Sequence, residues 1–391
     1  MDIWTLLYFC DITLFCLISF TVIYMTIFTL AAMLPKRHYT QKVKHQNRFI
    51  ILIPSYRNSN VEQTVASALG QSYPQRLFDI TVISDRNNEM TNFHLAQQPI
   101  TLLTPNFRES NKAKYFQLAI SNLPQFKLYD VVIILEAGNI IESDFLEKIN
   151  TAYENAGTRA LQAHRVSKNS KSQVSQMAAI FEEINNTIFR KGHNRLGLSA
   201  SLCMSGMAFD YEWFKSTILQ SKANWDDKNL ESILLQQHVF VEYVEDLYVY
   251  DEKPQHAEDF NRQRGQWIKS QFVTLLKNIH HLPWAILTRQ YDLADKIIQW
   301  MLMPRMVLMG LVVIMSAILP FIYMSLALKW WALFAFVLFI FALATPDYLV
   351  DENWSRSSLK SPMILMRSIP GLSKIADFID YLDKKFHHTK R

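Results

Sequence analysis

The strongest constraint on this chain is a set of long stretches without a charged side chain. Ile12 to Leu34 has none, Met306 to Leu328 has none, and Trp330 to Pro346 follows the lone Lys329. At about 1.5 Å per residue, a helix over either longer stretch reaches across a hydrocarbon core of roughly 30 Å. The chain is therefore expected to be membrane-anchored, with one N-terminal span and, later, a two-span hairpin with a very short turn at Lys329. A cleaved signal peptide is the alternative for the first stretch. No basic residue precedes that stretch and no obvious small-x-small site ends it, which favours a retained anchor.

Orientation follows from the basic flanks. Lys36, Arg37, Lys42, Lys44 and Arg48 follow the first stretch, and Lys384, Lys385, Lys390 and Arg391 close the chain. Such flanks stay on the cytoplasmic side, so the domain between the spans and the C-terminal tail are expected there, most naturally at a bacterial inner membrane. The formal charge of +5 concentrates beside the spans, where it suits anionic lipid rather than nucleic acid. Cys10, Cys16 and Cys203 form neither a disulfide framework nor a zinc spacing, and the eleven histidines show no metal-ligand spacing.

Between the spans, short β-branched runs alternate with helix-period segments, which implies an α/β domain with a mostly parallel sheet. Phe49 to Ile53 reads as a strand stopped by Pro54, Phe78 to Ser84 as a second and Val131 to Leu135 as a third. Val61 to Leu69 and Lys112 to Leu123 read as helices, and Ser143 as the cap of one running to Ala156. Leu247 to Tyr250 is a later strand. Glu258 to Leu276 and Tyr291 to Met301 suit helices lying on a membrane surface. The expected organisation is an anchor over 1–35, an α/β domain over 36–256, interfacial helices over 257–305, a transmembrane hairpin over 306–346 and a basic tail over 347–391.

Ligands of such sheets bind at the carboxyl ends of the strands. Those ends read Pro54-Ser55-Tyr56-Arg57-Asn58, Ser84-Asp85-Arg86-Asn87 and Glu136-Ala137-Gly138-Asn139. With nine glycines and no Gly-rich phosphate loop, a dinucleotide fingerprint is excluded. Further on, Trp225-Asp226-Asp227 opens a helix, and Gln263-Arg264-Gly265-Gln266-Trp267 precedes the second pair of apolar stretches.

A carboxylate pair opening a helix, then Gln-Arg-x-x-Trp ahead of membrane segments, resembles the membrane-bound, inverting family-2 glycosyltransferases. The resemblance extends to the N-acetylglucosaminyltransferase, hyaluronan-synthase and cellulose-synthase-like group and covers roughly Arg48 to Phe272. It implies a GT-A-like domain and transfer of a sugar from a nucleotide-sugar, a UDP-sugar by preference, to a lipid-linked or polysaccharide acceptor. It assigns Asp227 as general base. Pro54, Ser55, Tyr56, Asp85, Lys112, Glu136, Gln263 and Arg264 would hold the donor, and Gly206, Asp226 and Trp267 the acceptor. It also implies Mg²⁺ or Mn²⁺, held here through Glu136 alone, since the family's Asp-x-Asp is Glu136-Ala137-Gly138. Gln266 stands where the family has Arg, and Arg57-Asn58 where it usually has Asn-Glu. These departures leave open a second reading, an impaired relative that binds or assembles with an active partner. Three spans enclose too little for a polysaccharide pore, so a chain that translocates its product is expected to form a homo-oligomer or to have partner subunits.

Each motif also has a plainer reading. Asp85 fits a solvated turn, Lys112 a surface lysine, Gly206 a tight turn, and an aspartate at a helix start an ordinary N-cap.

Overall fold

The computed structural model describes residues 3–35, 43–57, 60–168, 172–221 and 225–349. In chain order the elements are α1 (Ile3–Ala31), β1 (Phe49–Tyr56), α2 (Val61–Leu69), β2 (Phe78–Asp85), α3 (Glu89–Ala96), β3 (Thr101–Leu103), α4 (Lys112–Asn122), β4 (Val131–Ile134) and β5 (Ile140–Ile141). Then come α5 (Phe145–Ala156), β6 (Ala160–Ser167), α6 (Gln173–Asn185), a π-helical turn over Asn186–Gly192, α7 (His193–Arg195), β7 (Met207–Asp210), α8 (Tyr211–Gln220), α9 (Asp227–Gln236) and β8 (Val241–Asp251). The chain continues through α10 (Ala257–Asn278), α11 (Leu282–Leu287), α12 (Tyr291–Met301), α13 (Arg305–Ile318) and α14 (Met324–Ala344).

Eight strands form one sheet in the order β3-β2-β1-β4-β7-β6-β8-β5. The β3, β2, β1 and β4 pairings are parallel, as is β6 with β8, while β7 and β5 pair antiparallel with their neighbours. The result is an α/β fold with a mostly parallel, mixed sheet. Strand alternation explains its two faces. Phe49, Ile51, Ile53, Val131 and Ile133 pack with α2 and α5, and Ile50, Leu52, Val132 and Ile134 pack with α4, α8 and α9. Fully buried side chains such as Phe116, Phe145 and Phe214 each contribute on the order of 1.5–3 kcal/mol.

Three local expectations are corrected. Pro54 does not end β1, which runs on to Tyr56 in register with β2. Pairing with β4 has already stopped at Leu52↔Ile134, so the missing N–H of Pro54 breaks no ladder there. Asp144, not Ser143, is the N-cap of α5, because the Ser143 carbonyl is turned to accept the Ser72 N–H at 2.7 Å. The turn of the apolar hairpin lies at Leu319 to Tyr323 rather than at Lys329, which sits inside α14. Its ammonium pairs with Asp11 of α1, and the Trp330 indole N–H donates to the same carboxylate at 2.8 Å.

Helices α1 and α14 are each long and apolar enough to cross a membrane. Helix α13 alone, at about 21 Å, is short for that, but α12 and α13 together, bent by 47°, make a third candidate. Lys36, Arg37, Lys42 and the tail from 350 onward lie outside the described residues, so the basic-flank reading of orientation stays an expectation.

A buried ionic cluster fastens the sheet to α6. Arg165 of β6 pairs with Asp251 of β8 at 2.6 Å, Lys253 reaches Asp251 at 3.2 Å and Glu182 at 3.4 Å, and Arg190 pairs with Glu182 at 2.8 Å. These cations hold the Glu182 carboxyl well below the usual carboxylate range despite its burial. Beyond α6, Gly192 in the π-helical turn meets α1. A Cβ there would lie 2.1 Å from the Phe28 carbonyl oxygen, and the neighbouring His193 ring stacks on Phe28 at 3.7 Å.

Gly192→Ala is therefore expected to lower the melting temperature in detergent sharply, because a clash against backbone cannot relax through a rotamer. Gly265→Ala, with nothing within 4 Å of its added Cβ, is expected to stabilise by about 1 kcal/mol through helix propensity. Thermal melts of the two variants side by side test whether the α1 contact or glycine content as such controls stability.

Candidate active site

The strand ends carry the backbone strain. Arg57 follows β1 with φ 48°, Arg86 follows β2 with φ 56°, and Gly138 follows β4 with φ 97°. Met204 and Gly206, ahead of β7, have φ 50° and 63°. Non-glycine residues in this region cost of order 1–3 kcal/mol each and persist where packing enforces them, commonly at ligand sites.

Asp85, the last residue of β2, is fully buried, which removes the solvated-turn reading. Its Oδ2 accepts from the hydroxyls of Ser110 and, at 2.7 Å, Tyr115, which burial and this carboxylate push up to about 12. Its Oδ1 accepts no hydrogen bond, and Arg86 stands 3.9 Å away. One oxygen is fixed and the other is open. Ser55 is also buried and accepts from the Asn87 amide at 2.8 Å, whereas Tyr56 is half-exposed with the Arg57 and Arg86 guanidiniums at 5.4 and 6.0 Å from its ring centroid.

Next along the rim, Lys112 opens α4, capped by Asn111, and its ammonium donates to the Glu136 carboxylate. The surroundings of Glu136 do not suit a divalent cation, which usually takes two or more protein oxygens. Gly138 offers no side chain, and its φ of 97° disfavours any replacement. Asn139 is committed, its oxygen accepting from the Glu136 N–H at 2.8 Å and from Ser205, and its amide donating to Asp251 at 3.1 Å. Asp251 is already neutralised by Arg165 and Lys253. Among the described residues no group of three or more His, Cys, Asp or Glu could hold a metal.

The paired aspartates divide their work. Asp226 is the N-cap of α9, its carboxylate accepting from the Asn229 N–H at 2.8 Å. Asp227, the first helical residue, accepts from the Lys228 N–H at 3.1 Å and lines a cavity of about 160 Å³. Burial raises its carboxyl above the usual range, the Lys228 ammonium 3.8 Å away partly offsets this, and Glu231 and Asp226 add to it. Lys228 in turn pairs with Glu231 at 3.2 Å.

Across the cavity stand Arg264 and Trp267 of α10, with Arg190, Cys203 and Arg305 also lining it. The Arg264 guanidinium lies 4.5 Å from the Trp267 ring centroid, and burial pushes its pKa down to about 10. The Gln271 amide donates to the carbonyls of Trp300 and Leu302 at 2.9 and 3.0 Å, holding α10 against the elbow between α12 and α13.

The structure thus brings together Asp227, Arg264 and Trp267 in one cavity, and Asp85, Lys112 and Glu136 along one rim. Gln263 and Gln266 are exposed on another face of α10, as a 100° step per residue requires, and neither lines the cavity. The room left by Gly206 is taken by protein: an added Cβ would meet Val249 at 2.7 Å and Ala163 at 2.9 Å. Arg190, Lys228 and Arg305 were not singled out from sequence. Arg305 had a signal, a lone arginine at the head of an apolar run.

Comparison with known proteins places this geometry. Residues 131–346, more than half of the chain, match the model of glycosyl transferase family group 2. No curated protein sequence matches. The mannosyltransferase PcManGT from Pyrobaculum calidifontis, in complex with GDP-Man and Mn²⁺, is similar in fold, with a TM-score of 0.56 and 12% identity over 88% of this chain and 98% of that one. S. aureus TarS 1-349 aligns with a TM-score of 0.40 and 12% identity over 83% of this chain and 81% of that one.

The capping division predicts distinct stability effects. Asp226→Ala should cost about 1 kcal/mol, the usual loss of an N-cap. Asp227 is different: its folded-state pKa is raised, so the native protein holds the proton more tightly and the carboxyl costs stability as pH rises from the ordinary carboxylate range through the raised value. Asp227→Asn should therefore melt at or above the native temperature, with the gap growing across that window. Melting curves against pH that show Asp227→Asn losing stability like Asp226→Ala would return Asp227 to a capping role.

Proposed function

This chain belongs to glycosyl transferase family group 2, and on that premise we propose that it is an inverting enzyme using a UDP-sugar to glycosylate a lipid-linked or glycan acceptor at the cytoplasmic membrane face. The observation that carries this reading is the Asp227 carboxylate lining the cavity that Trp267 and Arg264 also line, while Asp226 serves as the N-cap of α9. The family assignment makes the protein a glycosyltransferase acting on a nucleotide-sugar. The inverting course, the uracil base, the acceptor class and the membrane face are the proposal.

The residues take the following roles. The open oxygen of Asp85 accepts an N–H from the nucleobase, as an ionised carboxylate can. The Lys112 ammonium, one-third exposed and with two further protons beyond the one given to Glu136, donates to the diphosphate. Asp227 takes the proton of the acceptor hydroxyl while that oxygen bonds to the anomeric carbon. The bond to the diphosphate oxygen breaks on the opposite face, and the nucleoside diphosphate leaves with the electron pair, inverting the centre. The Trp267 ring provides a flat apolar wall for the acceptor sugar. The mannosyltransferase of similar fold is in complex with GDP-Man and Mn²⁺, and a divalent cation beside a diphosphate neutralises charge. Here the poor ligand set around Glu136 supports assigning much of that task to Lys112.

Asp227→Asn should bind UDP as the native protein does and transfer sugar about 10²- to 10⁴-fold more slowly, the usual contribution of a general base. Transfer assays with radiolabelled UDP-sugars, beside UDP binding, read both quantities. Unchanged transfer would remove Asp227 from the chemistry, and no transfer by the native protein with any nucleotide-sugar would favour an impaired binding subunit.

Lys112→Ala should weaken UDP binding by about 10-fold or more, the worth of a charge-assisted hydrogen bond. A chelator should weaken it less than that substitution does. The opposite ranking in titration calorimetry would return the diphosphate to a metal.

A further inference from the structure

The cavity lined by Asp227 contains two guanidiniums that form no ion pair among the described residues. Arg264 makes no hydrogen bond or ion pair among the described residues. Its neighbours are the rings of Trp267, Phe260 and Phe181, with centroids at 4.5, 5.0 and 5.4 Å. Arg305 stands over the same Phe181 ring at 5.5 Å. Its Nη2 donates to Asn185 Oδ1 at 2.6 Å, while its Nη1 is buried with no partner. No carboxylate forms an ion pair with either among the described residues. Both side chains are partly buried, and a cationic N–H withdrawn from water without a partner forfeits hydration with nothing in return. Burial accordingly lowers the pKa of Arg264.

Their position limits what the missing anion belongs to. The rim proposed for the donor runs through Asp85, Lys112 and Glu136. Arg305 instead opens α13, the apolar helix that follows the elbow at Pro304, and the cavity extends from there to Asp227. Two planar donor forks over one aromatic ring suit a phosphate, whose oxygens accept from both.

Resting on the glycosyl-transfer reading, we propose that Arg264 and Arg305 bind the phosphate of an amphiphilic acceptor, whose apolar chain lies along α13 and whose hydroxyl end points toward Asp227. The acceptor is thus a lipid phosphate ester rather than a neutral glycan.

The test uses the full chain in a neutral detergent, titrated calorimetrically with dodecyl phosphate, dodecanol, inorganic phosphate and UDP. Dodecyl phosphate should bind at least about 10-fold more tightly than dodecanol or inorganic phosphate. Arg264→Gln, which loses ring contacts but no hydrogen bond or ion pair, should abolish that preference, Arg305→Gln should reduce it, and Arg264→Lys should retain part. UDP affinity should stay within about 2-fold throughout. Equal binding of dodecyl phosphate and dodecanol overturns the proposal, as does a preference that survives Arg264→Gln. Inorganic phosphate binding as tightly as the lipid analogue would make it a free-anion site, and loss of UDP binding in Arg264→Gln would assign the arginines to the donor. UDP binding and transfer by the native protein are read separately, so failure here leaves the glycosyl-transfer reading standing, and failure there is seen on its own.

Discussion

The setting of α6 on the sheet rests on the buried cluster of Arg165, Asp251, Lys253, Glu182 and Arg190. Its carboxylates and cations come from β6, β8, the loop after β8, α6 and the π-helical turn. Replacing such a cluster by apolar residues can be neutral, but removing one partner typically costs about 3–5 kcal/mol, because it strands a buried charge. Its effect here is to fix α6 in one setting on the sheet. Phe181, on the same helix as Glu182, then supplies the ring over which Arg264 and Arg305 stand. The ring shared by the two arginines is thus positioned by one set of charges.

The rim of the sheet works differently. There the backbone is held in conformations that side chains avoid, at Arg57, Arg86, Gly138 and Met204, while the polar groups are pre-paired: Asp85 with Ser110 and Tyr115, Lys112 with Glu136. A ligand entering this rim meets fixed dipoles and charges and does not have to organise them. That is the arrangement by which electrostatic stabilisation is obtained without reorganisation at the moment of reaction.

Much of this was legible in the chain. The β-branched run Val131 to Leu135 reads as a buried strand, and the carboxylate pair at 226–227 marks a helix start, with Asp226 as its N-cap. Other features were hidden because their causes are distant in sequence. Pro54 reads as a strand breaker unless the length of the β4 pairing is known. Lys329 looks like a turn because its partner, Asp11, is at the other end of the chain. The facing of Arg264 rather than Gln263 toward Asp227 depends on the rotation of α10, which the Gln271 contacts at the α12–α13 elbow fix and no local pattern encodes. The family resemblance puts Gly206 beside the acceptor, but the space a Cβ would fill there is occupied by Val249 and Ala163.

The Asp11–Lys329 contact has a consequence for assembly. Within lipid, a single ionised side chain on a lone helix is costly, whereas a pair in contact presents no net charge to the surroundings. Helix α1 is synthesised long before α14, so Asp11 has no Lys329 to pair with until α14 is made. Helix α14 therefore completes a contact that α1 cannot make alone, and a chain truncated before it would carry Asp11 without its cation.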